Sequence, residues 1–126
     1  MHLLLIEPNI LLADTYTQAL RHAGFSITSV TGAQAAIMAA DKQQPDLIIL
    51  ELYLPLHSGI EFLHEFRSYP EWQHVPIVVH SSLLPAKSVV AEEHLRRDLG
   101  VSEILYKPRT TLEQLLRVVR DKLTAA

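Results

Sequence analysis

Glu7, Glu51, Ser81 and Lys107 each stand at the end of a short, largely apolar run: LLLI, LIIL, IVVH and EILY respectively. They are far apart along the chain, so only the fold can bring them together. Two carboxylates, a hydroxyl and an ammonium converging would make one polar site on a rigid apolar scaffold. Whether they converge is decided by the elements that carry them.

Five strand candidates cover Leu3–Ile6, Phe25–Val30, Asp46–Glu51, Pro76–Ser81 and Glu103–Tyr106. LLLI, LIIL and PIVV are nearly continuous apolar runs, as expected where both faces of a parallel sheet are covered. Between them lie segments of helical period. In the first, Leu12, Tyr16, Ala19, Leu20 and Ala23 form one apolar face, with Gly24 as a stop. Thr31–Gln34, Ser58–Glu61 and Thr110–Glu113 match the capping box that opens a helix. The third helix buries Ile60, Phe62, Leu63 and Phe66; the fifth buries Leu112, Leu115, Leu116, Val119 and Leu123. The fourth falls between Ala86 and Leu99, with Val89, Val90 and Leu95 as apolar members and Gly100 as its stop. Strand followed by helix, five times over, predicts a doubly wound α/β domain with a parallel sheet. In such sheets functional groups gather outside the carboxyl ends of the strands, where the four chemical residues stand.

Composition narrows the function classes. With 126 residues the chain fits one domain, spanning 1–126. Hydrophobic residues at 48%, charged residues at 20% and a net charge of −3 are the balance of an ordinary globular protein. No basic stripe marks a nucleic-acid surface. The absence of cysteine excludes disulfides, thiolate catalysis and cysteine-ligated metal. No run approaches the ~20 apolar residues of a membrane span, and the amino-terminal run lacks a signal peptide's basic start and length. A soluble, cytoplasmic protein is the expectation.

The residues at the strand ends carry a resemblance. DLIILELYLPLHSGIEFL resembles the third strand, phospho-acceptor loop and third helix of the receiver domains of two-component signalling; PIVVHSS resembles their fourth strand and LYKP their fifth. The likeness covers nearly the whole chain. It implies the flavodoxin-like (βα)5 fold, a five-stranded parallel sheet of order 2-1-3-4-5. By position, Glu7 takes the first acidic place, Ser81 the hydroxyl place, and Lys107 with Pro108 the lysine–proline pair, usually joined by a cis bond. Two positions depart from the pattern: Pro8 replaces a second acidic residue that contacts magnesium, and Glu51 stands where an aspartate accepts phosphoryl.

Both departures bear on the chemistry. Phosphoryl transfer to a carboxylate relies on in-line positioning and on a metal that neutralises charge on the phosphoryl oxygens. Magnesium takes near-octahedral oxygen ligands, and a proline side chain offers none. An acceptor longer by one methylene moves the attacking oxygen by about 1 Å, a displacement that can cost ~10²-fold. What remains for magnesium is Glu51, the Tyr53 carbonyl and, through water, Glu7: a weak site at best, so no cofactor is expected. Two readings of Glu51 stay open. Its longer reach lets it meet Lys107 and Ser81 in partial imitation of a phosphorylated aspartate. The plainer reading is a solvated or lysine-paired carboxylate, because glutamate has one negative charge where phosphorylation adds nearly two.

Other residues draw weaker readings. The seven histidines show no HxxxH or HxH spacing; His57 and His80 lie beside the site in sequence, and hydrogen-bonded or exposed imidazoles are expected. A Ser81–His80 catalytic pair is disfavoured, since neighbours on a strand point to opposite faces. Ile104 stands where many receivers have a switching aromatic; it shares a face with Tyr106, and the two mark a candidate interaction face. Leu83, Leu84 and Pro85 read as a loop leading into the fourth helix, and Trp72 as half-buried packing.

The function expected from this is a phosphorylation-independent pseudo-receiver, not an enzyme, working by protein–protein contact. Its partners would be an output domain, a histidine kinase or a second copy in a homodimer, met through the fourth helix, fifth strand and fifth helix, with neither nucleic acid nor membrane. The rivals are a receiver that still switches through Glu51 or magnesium and, lower, a small-ligand sensor.

Overall fold

A computed structural model of the chain describes residues 1–82 and 89–124. The elements run β1 (His2–Ile6), α1 (Ile10–His22), β2 (Ser26–Val30), α2 (Ala33–Lys42), β3 (Leu47–Leu50), α3 (Gly59–Ser68), β4 (Ile77–Ser81), α4 (Val89–Glu93), β5 (Val101–Tyr106) and α5 (Leu112–Thr124). The five strands form one parallel sheet in the order β2-β1-β3-β4-β5, the predicted doubly wound arrangement. Continuous apolar runs pack on both faces: every residue of β1, β3 and β4 is buried. One core layer holds Leu4, Ile6, Ile48, Phe62, Phe66, Trp72 and Leu95; the other holds Leu3, Leu5, Leu20, Ile49, Val78, Leu115 and Val119. Among the described residues no helix is long and apolar enough to cross a membrane.

Several local expectations shift. In α1 the fully buried residues are Ala13, Thr17 and Leu20, while Leu12, Tyr16, Ala19 and Ala23 are half-buried. Small side chains at 13 and 17 let the helix axis approach the sheet, so that row faces inward. Thr31 does not cap α2: the helix starts at Ala33 and its cap, Gly32, has no side chain to offer. Ser58 does cap α3, accepting from Glu61 N at 3.1 Å. The last box is displaced by one residue. Thr111 Oγ1 accepts from Gln114 N at 3.1 Å and Gln114 Oε1 from Thr111 N at 2.8 Å, while the Thr110 hydroxyl donates to the Tyr106 carbonyl.

The region of the fourth helix departs furthest. After α4 the chain widens into a π-helical turn, His94–Asp98, with Leu99 N donating to His94 O at 3.1 Å. Gly100 then reverses the chain with φ +65°, and Gly24 ends α1 in the same left-handed region. Leu83, Leu84, Pro85 and Ala86, and the side chains of Val89 and Val90, lie outside the described residues. Leu112 is 37% exposed rather than buried. Trp72 is fully buried, not half-buried, because its ring stacks on Phe66 with centroids 4.8 Å apart.

Candidate functional site

Register fixes where the chemical residues emerge. Ile6 pairs with Leu50 and with Val30, and Leu50 with Val79, so β1 and β3 end level. Glu7 N then donates to Val30 O and Glu51 N to Ile6 O, each at 3.0 Å, which carries the ladder one residue further and holds both glutamates at its rim. Ser81 pairs with Tyr106, placing Lys107 one residue beyond. The four predicted residues do converge. Glu7 is 2%, Glu51 3% and Ser81 0% exposed.

Lys107 lies between the carboxylates and donates to Glu7 Oε1 and, at 2.7 Å, to Glu51 Oε1. Glu51 Oε1 also accepts from the Ser82 amide and hydroxyl, each at 3.0 Å. Glu51 Oε2 accepts from the Ser81 hydroxyl and from the Tyr53 amide at 3.0 Å. Five donors among the described residues therefore converge on one carboxylate. Glu7 Oε2 is fixed by the Asn9 amide at 3.0 Å, and Asn9 Oδ1 in turn caps α1 through Leu12 N.

Burial alone would push the Glu51 carboxyl up. Hydrogen bonds from Lys107, Ser81 and the Tyr53 and Ser82 amides outweigh it and hold the group down at about 2. Lys107 shows the mirror case: burial would lower it, and the two glutamates raise it instead. An ammonium between two carboxylates leaves the cluster one negative charge.

His80 does lie close to this cluster. It is buried against Tyr16, edge to face with centroids 5.1 Å apart, and burial followed by the Lys107 charge lowers it to about 4, so it is neutral. His57 does not join the site; its side chain is 59% exposed and pairs with Glu61 at 3.1 Å. The Lys107–Pro108 bond is trans rather than the expected cis, and Lys107–Arg109 forms a 3₁₀ turn that satisfies Thr110 N locally. The loop after β3 folds back so closely that a Cβ on Gly59 would lie 2.7 Å from Leu52 Cα, which restricts that position to glycine. Ile104 packs against the core layer containing Phe62, and Leu105 against the other, as the period of two predicts. Tyr106 is half-buried with the Arg109 guanidinium 6.0 Å from its ring centre.

Three contributors escaped the sequence reading: Ser82, whose signal was a second hydroxyl beside Ser81, and the amides of Tyr53 and Asn9, which no side-chain pattern announces.

The sequence matches the response regulator receiver domain over residues 3–120. The chain belongs to that family. It is a receiver domain of two-component signalling. It is 33% identical over 115 residues to TcrX, a probable transcriptional regulatory protein of Mycobacterium tuberculosis, covering 91% of this chain and 47% of the relative. With the KDP operon transcriptional regulatory protein KdpE of Escherichia coli it shares 28% over 119 residues, covering 90% and 52%. The receiver thus spans about half the length of these relatives. Among solved structures, the signal receiver domain of a histidine kinase from Syntrophus aciditrophicus superposes with TM-score 0.85 at 20% identity, covering 99% of this chain and 91% of that one. The receiver domain of a sensor histidine kinase from Pseudomonas aeruginosa, which coordinates magnesium in its active-site cleft, gives TM-score 0.82 at 25% identity, covering 98% of each.

The donor set of this receiver does not fit magnesium. Pro8 brings no side-chain oxygen, and Glu51 Oε2 already accepts from the Tyr53 amide. Both Glu51 oxygens are committed to hydrogen-bond donors, and the place between the acidic side chains is taken by the Lys107 ammonium. A divalent cation would have to displace that charge while finding an octahedral shell without a second acidic residue.

Proposed function

We propose that this receiver signals by protein–protein contact without passing through phosphorylation, and that Glu51 holds its pocket in one fixed arrangement. The observation that carries the reading is the state of the Glu51 carboxylate: buried, ionised and bonded to Lys107, Ser81, Ser82 and the Tyr53 amide at once. A nucleophile must present a free lone pair in line with the phosphoryl group, and each bond to Glu51 opposes that. The carboxylate reaches the Ser81 hydroxyl and the Lys107 ammonium together, which rules against a merely solvated residue and supports both a lysine-paired carboxylate and a partial imitation of an acylphosphate. The contact face is the edge formed by α4, β5 and α5. Strand β5 closes the sheet with Ser102–Tyr106 half-buried, and Leu112 stands exposed at the start of α5.

Amide NMR titration with magnesium and then beryllium fluoride tests this. The expected result is no saturable shift at Glu7, Glu51, Ser81 or Lys107. The double variant Pro8→Asp, Glu51→Asp, with its missing acidic ligand and shorter acceptor supplied, should respond to both. Saturable shifts in the parent chain that spread to Ile104 would overturn the proposal.

A further inference from the structure

The fold brings together two histidines that stand thirty positions apart and that no spacing rule connects. His64 on α3 and His94 at the start of the π-helical turn face each other through their Nε2 atoms at 3.4 Å, with ring centroids 5.4 Å apart. At 3.4 Å the two nitrogens stand at the long end of hydrogen-bonding distance. The separation also matches a different geometry: two imidazole nitrogens each ~2.0–2.1 Å from one tetrahedral zinc lie about 3.3 Å apart. We propose that His64 and His94 form a transition-metal site, of the zinc, nickel or copper class, that ties α3 to the π-helical turn.

Two further observations support it. His94 Nδ1 lies 2.8 Å from Asp98 Oδ2, one turn along. An ionised carboxylate can only accept there, so Nδ1 carries a proton, and in the neutral form of the ring this leaves the lone pair on Nε2, the atom that faces His64. Carboxylate, imidazole and metal in that order is the usual way a ligating histidine is oriented. The second observation concerns the frame. Arg67, three residues after His64 and so on the same side of α3, donates to Leu99 O at 2.8 Å, Gly100 O at 3.0 Å and Trp72 O at 2.8 Å. These bonds fasten α3 to the end of the turn that carries His94, so the two rings are held facing each other before any ion arrives. Both histidines are reachable from solvent; the His94 side chain is 41% exposed. Among the described residues no group of three or more metal-ligating side chains occurs, so water would complete the coordination shell. Imidazole is a ligand shared by zinc, copper and nickel, whereas magnesium and calcium prefer oxygen.

The test is a calorimetric titration of the 126-residue chain with Zn²⁺ in a buffer free of chelators, read alongside imidazole nitrogen spectra. One ion per chain should bind, with the His64 and His94 Nε2 signals moving together. His64→Gln and His94→Gln should each weaken binding by about tenfold or more, and Asp98→Asn, which keeps both ligands, by about tenfold. His57→Gln should leave it unchanged. Magnesium should not compete. The proposal is overturned if the His64→Gln, His94→Gln double variant binds Zn²⁺ as tightly as the parent, or if the signals that move belong to His57 and His74.

Discussion

In the pocket, Lys107 lies between Glu7 and Glu51 with side-chain exposures of 11%, 3% and 3%. At the β5 edge, Arg96 lies between Glu92 and Glu103 with exposures of 41%, 52% and 31%, at 3.4 and 3.5 Å. Both are a cation between two carboxylates, built from the same side-chain chemistry. In the pocket water cannot replace a lost partner, so each group depends on the other two. At the edge water can, and the chains are free to regroup; Lys122 already shares Glu103 at 3.8 Å. Burial, more than the presence of an ion pair, separates a fixed structural unit from an adjustable surface.

The largest expected effect tests this contrast directly. Lys107→Ala leaves two carboxylates buried without their cation and should cost about 3–5 kcal/mol of stability in urea unfolding. Arg96→Ala should cost about 1 kcal/mol or less. Equal losses would erase the distinction.

Acid comes next. His80 is neutral in the fold, lowered to about 4 from 6.5, so its contribution is complete above pH 6.5 and disappears as pH falls toward 4. Glu51, lowered from 4.5 to about 2, contributes fully above pH 4.5 and is lost between 4.5 and 2. Each step should remove about 3 kcal/mol. Denaturant midpoints measured from pH 7 to pH 2 should therefore fall in two stages. His80→Phe should flatten the first and leave the second; a parent chain that loses stability only below pH 4.5 would show that His80 is already solvated.

The smallest effect is ionic. Raising salt to 1 M shortens the screening length to ~3 Å and should weaken the edge pairs by a few tenths of a kcal/mol. Any difference in stability between parent and Arg96→Ala should then vanish, while the cost of Lys107→Ala persists.

Much of this was legible in the sequence, for identifiable reasons. LLLI, LIIL and PIVV are short, nearly continuous apolar runs, as expected of strands covered on both faces, and strand ends place Glu7, Glu51, Ser81 and Lys107 at one rim. Gly24 and Gly100 stop their helices as read. What escaped depended on backbone groups or on distant packing. The Tyr53 and Asn9 amides carry no side-chain signature, and Thr110–Glu113 imitates a capping box that Thr111 and Gln114 actually form. Trp72 reads as a loop residue until Phe66 offers it a ring to stack on. The π-helical turn, and with it the meeting of His64 and His94, follows from how α3 and β5 fix the ends of that segment.

The buried trio also has an evolutionary consequence. Seen from the family's pattern, two substitutions separate this pocket from one that could hold magnesium, and neither helps alone. Glu51→Asp withdraws the carboxylate from Ser82 and Lys107 while Pro8 still supplies no side-chain oxygen. Pro8→Asp adds the missing acidic oxygen while the longer Glu51 still holds Lys107 and Ser82. Each single substitution is therefore expected to supply only half of what the family's metal site needs.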